Sequence, residues 1–226
     1  MNVINNKNAN LSEFENHKLQ VHYFLDSVEL CNYAGIKHLF DNNFILKTFL
    51  FKKALQRGGD QKIWELIVSK MKSRAESEGG NAIRQLTRST FMNACSQNRP
   101  DVTKILIDSD FLVTDTELYD AVSKQNVKIA ELYLKKIPFD TMHFHCANDK
   151  NDYKMLDVLF KGTPSQDVKQ TFSDDKELVA DAVKIATQNG LGYYRRFLFD
   201  YEESSNVLDN SWVFNAVCPV DLESEF

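Results

Sequence analysis

Glycine and proline are scarce in this sequence of 226 residues, which contains eight glycines and four prolines. Strand-rich folds use many turn residues, so this scarcity disfavours sandwiches and barrels and favours helices joined by short polar turns. No apolar run approaches the roughly 18 residues that a membrane-spanning helix needs. The polar residues 1–16 show no apolar signal-peptide core. We therefore expect an all-α cytoplasmic protein with no membrane contact.

Closely spaced cysteines are also lacking, which disfavours both a disulfide scaffold and a cysteine-rich metal site. Their spread predicts reduced, mostly buried thiols. The glycines at 58–59 and 190–192 are too few for a phosphate loop, and neither group follows a strand. We therefore expect no metal, no cofactor and no small-molecule substrate. The four cysteines are Cys31, Cys95, Cys146 and Cys218.

Charge is present but unevenly distributed, within a net charge of −5. Residues 44–104 carry 12 basic and 5 acidic side chains, whereas residues 105–226 carry 12 and 22. Such asymmetry indicates either a binding surface or two solvated faces that differ. A basic stripe can contact phosphates, but an acidic protein partner explains it equally well, so we expect no nucleic acid. The stripe includes Lys47, Lys52, Lys53, Arg57, Arg84 and Arg88.

One spacing recurs along the chain: a large apolar residue, small or apolar residues three and four positions later, and a turn residue at seven. Offsets of three and four share one helix face, where small residues let a neighbouring helix approach closely. A second helix with its own apolar residues follows each turn, which predicts stacked antiparallel helix pairs. The copies are Phe51/Ala54/Leu55/Gly58, Phe91/Ala94/Cys95/Asn98, Leu118/Ala121/Val122/Gln125, His143/Cys146/Ala147/Lys150 and Val183/Ala186/Thr187/Gly190.

This pattern resembles the ankyrin repeat, whose consensus runs from Thr-Pro-Leu-His through paired alanines to a Gly-His turn. The family's alanine pair falls on Ala94-Cys95 and Ala121-Val122, and its turn glycine on Gly58 and Gly190. The resemblance implies an ankyrin-like α-solenoid. Its opening threonine, a helix cap, falls on Ser89, Thr116 and Thr141.

The chain departs from that family in its spacing and in lacking the opening proline. The small residue recurs at 54, 94, 121, 146 and 186, at intervals of 40, 27, 25 and 40, whereas the ankyrin period is about 33 residues. Short intervals leave little room for β-turn fingers, so we expect these to be short or missing. Long intervals imply inserted loops or extra helix. A tetratricopeptide-like stack or an unrelated helical bundle is the alternative.

These patterns divide the sequence into three regions. Residues 1–43 are predicted to form N-terminal capping helices, 44–200 about five helix pairs, and 201–226 a short helix and an acidic tail. Smaller elements are predicted within them: capping boxes at Ser12–Glu15 and Thr114–Glu117, a helix over Phe44–Arg57, a loop over 73–81, a polar connector over 161–175 and a helix over 210–217.

The ankyrin resemblance implies a non-catalytic adaptor or inhibitor that binds a protein partner on the concave face of the stack. Exposed first-helix positions in that frame are the expected contacts. The alternative for Tyr119 is that it packs against its neighbouring repeat. The predicted partner-binding residues are Met92, Asn93, Gln97, Tyr119, Asp120 and Lys124.

A cysteine-dependent enzyme is the competing interpretation. In the sequence His-Phe-His-Cys, which ends at Cys146, imidazoles lie beside a thiol that could act as a nucleophile. Cys31 could pair in the same way with His22 or His38. Because His143 and Cys146 fall on the repeated spacing, a packing role is the stronger hypothesis, and we expect no catalytic residue.

The last eight residues, 219–226, resemble the glutamate-containing C-terminal signals of bacterial type IV secreted effectors. Residues 200–226 contain seven acidic residues and no basic one. The resemblance implies an adaptor or inhibitor that acts in a host cytosol. An ordinary cytosolic or viral scaffold is the alternative.

Overall fold

Helices make up most of the chain between residues 18 and 205, which are the residues that the computed structural model describes. This part of the chain contains thirteen helices and no strand, which confirms the predicted all-α class. None of these helices is long and apolar enough to cross a membrane. The first, α1, covers 18–29, and the rest are α2 (Tyr33–Asp41), α3 (Thr48–Arg57), α4 (Gln61–Glu78), α5 (Gly80–Ser96), α6 (Pro100–Asp108), α7 (Asp115–Ser123), α8 (Val127–Tyr133), α9 (Thr141–Asp149), α10 (Tyr153–Lys161), α11 (Gln166–Asp174), α12 (Lys176–Gln188) and α13 (Gly192–Ser205).

The tight turns within the helix pairs share one backbone motif. In the turn between α7 and α8, Gln125 has a φ of 59° and donates its N–H to the Val122 carbonyl at 3.0 Å. Asn126 donates to the Ala121 carbonyl at 2.9 Å. Together these are the paired bonds of a Schellman motif, which ends a helix on a left-handed residue. The left-handed residues at five such turns are Cys31, Asn98, Gln125, Asn151 and Gly190.

The predicted spacing is one residue out of register in its fourth copy. His143 is the third residue of α9, where its ring nitrogen accepts the backbone N–H of Asp140. The left-handed turn residue is Asn151, not Lys150. The prediction of His143/Cys146/Ala147/Lys150 was therefore wrong, and the structure places the copy on Phe144, Ala147, Asn148 and Asn151.

The same spacing also occurs in α1, where the sequence interpretation did not find it. Phe24, Ser27 and Val28 are at most 2% exposed, and Cys31 adopts the left-handed turn. Serine replaces the usual small alanine and cysteine replaces the turn glycine, which concealed the pattern. Within the described chain, α1 and α2 therefore form a helix pair like those that follow.

Helices at the same position in successive pairs pack against one another. The described helices divide into two compact units, the first ending at Val113 and the second beginning at Thr114. In the first unit α3 packs against α5, and α4 packs against both α2 and α6. In the second unit α7 packs against α9, and α10 packs against both α8 and α13. The core of each unit lies along these contacts, where the residues of the spacing are buried.

Two long intervals in the spacing have different structural causes. Between residues 54 and 94, α4 and α5 are 18 and 17 residues long. The predicted loop over 73–81 was wrong, since α4 runs to Glu78 and only Gly79 separates it from α5. Between α10 and α12 the extra length is the helix α11, so the predicted connector over 161–175 was also wrong.

Helix starts agree with the prediction at one position and differ at others. The capping box of Thr114 and Glu117 is present at α7. Residues 44–47 are not helical, so α3 begins at Thr48. The ankyrin-derived caps do not hold: Thr116 and Thr141 follow the caps Thr114 and Asp140, and Ser89 lies inside α5. The predicted elements at Ser12–Glu15 and 210–217 lie outside the described residues.

The connections between pairs contain no β-hairpin finger in the described residues. One isolated bridge joins two of these connections, between Phe139 and Pro164. Phe139 donates to the Thr163 carbonyl at 3.0 Å, and Ser165 donates to the Phe139 carbonyl at 2.8 Å. The β structure of the connections is thus reduced to a single pairing.

Candidate functional site

Tyr119 lies on α7 and is both exposed and held in place. It is 40% exposed, and its ring meets the His143 ring edge-on with 6.3 Å between centroids. Its hydroxyl is hydrogen-bonded to Cys146 on α9. Its nearness to Cys146 raises the pKa of Tyr119, first because two deprotonated groups there would repel each other and then because of the hydrogen bond. The tyrosine therefore contacts the next helix pair through one part of its ring and leaves the rest open to solvent.

Asp120 and Lys124 form an ion pair one turn apart on the same helix, with 2.5 Å between Nζ and Oδ2. Both side chains are partly covered, with exposures of 23% and 34%. Lys150, at the end of α9, donates to the backbone carbonyl of Ser123. The Lys150 bond joins the end of α9 to the end of α7. We call the resulting patch the α7–α9 surface: Tyr119, Asp120, Lys124, Cys146 and Lys150.

The other predicted binding residues lie on α5, in the first unit. Met92 is 42% exposed. Asn93 and Gln97 are half-buried. Gln97 ends α5, and its backbone N–H bonds to the Asn93 carbonyl at 3.1 Å. The structure thus brings Tyr119, Asp120 and Lys124 together on α7 and places the remaining three on a helix of the other unit.

The His-Phe-His-Cys sequence forms part of the contact between α7 and α9. His143 is fully buried. Its Nδ1 lies 3.1 Å from the Asp140 backbone nitrogen and also contacts the Asp140 carboxylate, and its Nε2 is hydrogen-bonded to the Asp115 carbonyl at 3.0 Å. His145 is exposed and its ring meets that of Phe144 at 5.3 Å. Both nitrogens of His143 are therefore engaged in positioning two helices.

The cysteines of the described residues occupy three different environments. Cys95 is buried, Cys146 is half-buried and Cys31 is exposed, so the prediction of mostly buried thiols holds for only one of them. Cys218 lies outside the described residues. Between residues 18 and 205, no hydrogen bond joins Cys31 to His22 or His38. That region also contains no group of three or more His, Cys, Asp or Glu side chains placed to hold a metal ion.

A second candidate site, which the sequence interpretation missed, is an apolar groove in the first unit. Its volume is about 300 Å³. Residues 44–46 were predicted to be helical, so the exposed side chain of Ile45 gave no signal of a groove. The 40-residue interval between residues 54 and 94 was the one sequence feature that indicated additional structure in this region. We call this site the α4 groove, and the lining residues used below are Phe40, Phe44, Ile45, Lys47, Lys70, Met71, Arg74, Ala75, Glu78, Ala82 and Leu86.

Comparison of the chain with protein-family models, curated proteins and solved structures gives no match. The ankyrin resemblance therefore stays a prediction based on the repeated spacing.

Proposed function

We propose that this protein is a non-catalytic adaptor or inhibitor that binds a protein partner through the α7–α9 surface. The observation that carries the proposal is the state of Tyr119, which is 40% exposed yet fixed by His143 and Cys146. Binding energy concentrates in a few aromatic and charged anchors. An anchor that is already held in place loses less conformational freedom when a partner binds.

The contacts of the histidine and cysteine side chains support this proposal over the enzyme alternative. A general base needs a ring nitrogen within hydrogen-bond reach of the nucleophile. Both nitrogens of His143 are occupied, Nδ1 by the backbone N–H and the carboxylate of Asp140 and Nε2 by the Asp115 carbonyl. The hydrogen bond of Cys146 goes to Tyr119. In the proposal these groups shape the surface instead of carrying out a reaction.

The proposal also includes an ankyrin-like solenoid as the fold and a compartment in which the protein acts. An adaptor with the C-terminal resemblance to type IV effectors would act in a host cytosol. A scaffold in the cytosol of its own cell is the alternative. Both versions use the same α7–α9 surface and differ in the source of the partner.

The Tyr119→Ala and Lys124→Ala variants test the proposal. Affinity capture followed by mass spectrometry identifies the partner of the wild-type protein, and titration then gives its Kd. Each substitution should weaken binding by about tenfold or more, because each removes an anchor, while circular dichroism and the melting temperature stay close to wild type.

Two matched variants provide the control. Tyr193 is another exposed tyrosine of the same unit, on α13, and Lys128 is an exposed lysine on α8. Tyr193→Ala and Lys128→Ala should leave the Kd unchanged. Normal binding by both Tyr119→Ala and Lys124→Ala would remove the α7–α9 surface from consideration.

A further inference from the structure

Helix α4 extends beyond the helices packed on either side of it. Lys70 Nζ lies 3.6 Å from Asp41 Oδ1 at the C-terminal end of α2. Lys72 Nζ donates to the Ser109 carbonyl, just after the end of α6, at 2.7 Å. α4 then continues to Glu78, a further length of about 9 Å at 1.5 Å per residue. Its last turns therefore extend past these two contacts and pack against the start of α5.

This extension creates the α4 groove. Met71 and Ala75 of α4 contribute one wall, and Ala82 and Leu86 of α5 line it as well. Residues 44–47, which belong to no helix, also line the groove, and Ile45 is 45% exposed. The volume of about 300 Å³ lies at the lower end of the range of about 300–1,000 Å³ for sites that enclose a ligand. The groove is thus large enough for a bulky apolar side chain.

The walls of the groove are held by aromatic packing. Phe44 stands 6.3 Å from Phe40 and 5.3 Å from Phe24, measured between ring centroids. Phe24 is fully buried and Phe44 is 7% exposed. Aromatic pairs at these distances stabilise their geometry beyond simple burial. The groove is therefore preformed, which lowers the entropy cost of filling it.

Basic side chains surround this apolar floor. Lys47, Lys70 and Arg74 line the groove, against one acidic residue, Glu78. Arg74 pairs with Glu78 at 2.7 Å, and Lys70 pairs with Asp41. Lys47 has no ion-pair partner among residues 18–205. The net charge around the groove is therefore positive. The groove draws most of its lining from residues 44–104, which carry a net charge of +7 within an acidic chain.

The backbone at the rim can also take part in binding. Ile45, Leu46 and Lys47 belong to no helix or strand, Lys47 is extended, and all three donate no backbone hydrogen bond within the described chain. Unpaired backbone groups in an extended stretch can bond to an extended peptide laid alongside them. An extended peptide with one apolar anchor and flanking carboxylates would fit the groove. Its anchor would fill the apolar pocket, its carboxylates would contact the basic rim, and its main chain would bond to the unpaired backbone groups.

We propose that the α4 groove binds an extended acidic segment of a partner protein, with a bulky apolar side chain in the pocket between α4, α5 and residues 44–47. Carboxylates on either side of that anchor contact Lys47, Lys70 and Arg74. This site is separate from the α7–α9 surface in sequence and in chemistry. Variants at Tyr119 and Lys124 therefore test one site, and variants at the groove test the other.

Selection of random dodecapeptides, displayed on phage, against the full chain tests the proposal directly. Enriched peptides should contain acidic residues around one aromatic or large aliphatic residue. Synthetic versions should bind about tenfold more weakly to Lys47→Glu/Arg74→Glu, and their affinity for the wild-type protein should fall as salt is raised. Both substituted side chains are exposed, so this variant should fold normally.

The Lys52→Glu/Lys62→Glu variant is the matched control, because it makes the same charge change at exposed lysines of α3 and α4 that do not line the groove. It should bind the selected peptides as the wild-type protein does. Enrichment of neutral or basic peptides, no enrichment, or equal weakening by both double variants would overturn the proposal. Displacement of the selected peptides by a synthetic peptide of residues 206–226 would show that the groove binds the chain's own C-terminal segment. That result would overturn the proposal that the groove binds a partner protein.

Discussion

At the scale of single residues, one turn of this protein depends on a side chain that is poorly suited to it. Gln125 adopts a φ of 59° with its side chain exposed. A non-glycine residue in this left-handed region costs roughly 1–2 kcal/mol. The turn at α12 uses glycine for the same role, at Gly190. The Schellman bonds therefore hold residues such as Gln125 in a conformation that they do not prefer.

Replacing Gln125 with glycine should stabilise the protein. Gln125→Gly should raise the free energy of unfolding by about 0.5–1 kcal/mol, because relief of the left-handed strain outweighs the added freedom of the unfolded chain. Urea denaturation measures the change. Gln97→Gly is the matched control: Gln97 ends α5 at a φ of −99°, so glycine should lower stability by about 0.5–1 kcal/mol. The same sign for both substitutions would contradict this explanation.

At the scale of helices, one arginine joins two successive pairs in the first unit. Arg99 Nη1 donates to the Leu55 carbonyl at 2.8 Å and to the Gly58 carbonyl at 3.0 Å, at the end of α3. Its guanidinium lies 5.2 Å from the ring centre of Trp64, and Trp64 Nε1 also donates to Gly58 at 2.8 Å. Only 16% of the Arg99 side chain is exposed. The turn before α6 thus caps the C-terminus of α3.

Removing this contact should destabilise the first unit. Arg99→Ala should lower the free energy of unfolding by about 2 kcal/mol, since it leaves half-buried carbonyls without a charged donor. Arg99→Lys should recover only part of the loss, because lysine lacks the planar fork. Urea titration gives the values. Lys104→Ala removes an exposed ion pair with Asp108 and should cost about 0.5 kcal/mol or less; equal losses would argue against the capping role.

The sequence predicted helices correctly where a local pattern dictates them and missed features that depend on the folded chain. The capping box at Thr114 and the offsets around Leu118 depend on neighbours in the chain. The last turns of α4 were missed because their exposed polar side chains resemble those of a loop. The groove could not be predicted, since Phe40, Lys47, Arg74 and Leu86 come together only in the folded chain.

At the scale of the whole molecule, the described chain consists of two compact units, each with its own core. In the second unit, aromatic rings pack around Phe144, which is 1% exposed and meets Phe172 at 5.3 Å and Phe160 at 6.1 Å. In the first unit, Phe91 is fully buried and meets Phe111 at 6.4 Å. Compact units of this kind can open separately.

Truncating one core should therefore loosen one unit more than the other. Phe144→Ala should cost about 3–5 kcal/mol and reduce amide hydrogen-exchange protection mainly in α7–α12. Phe91→Ala is the corresponding substitution in the first unit and should reduce protection mainly in α2–α6. Mass spectrometry of exchanged peptides resolves the two regions. Uniform loss of protection in both variants would mean that the units unfold as one.

The tip of the α4–α5 extension also suggests a practical use. Gly79, the only residue between the two helices, is exposed, and a Cβ atom added there would meet nothing within 4 Å. Exposed tips with small residues accept inserted sequence well. A fluorescent reporter or an epitope grafted at this point would stand at the end of the same helices that line the α4 groove, so it could signal when the groove is filled without altering the side chains that fill it.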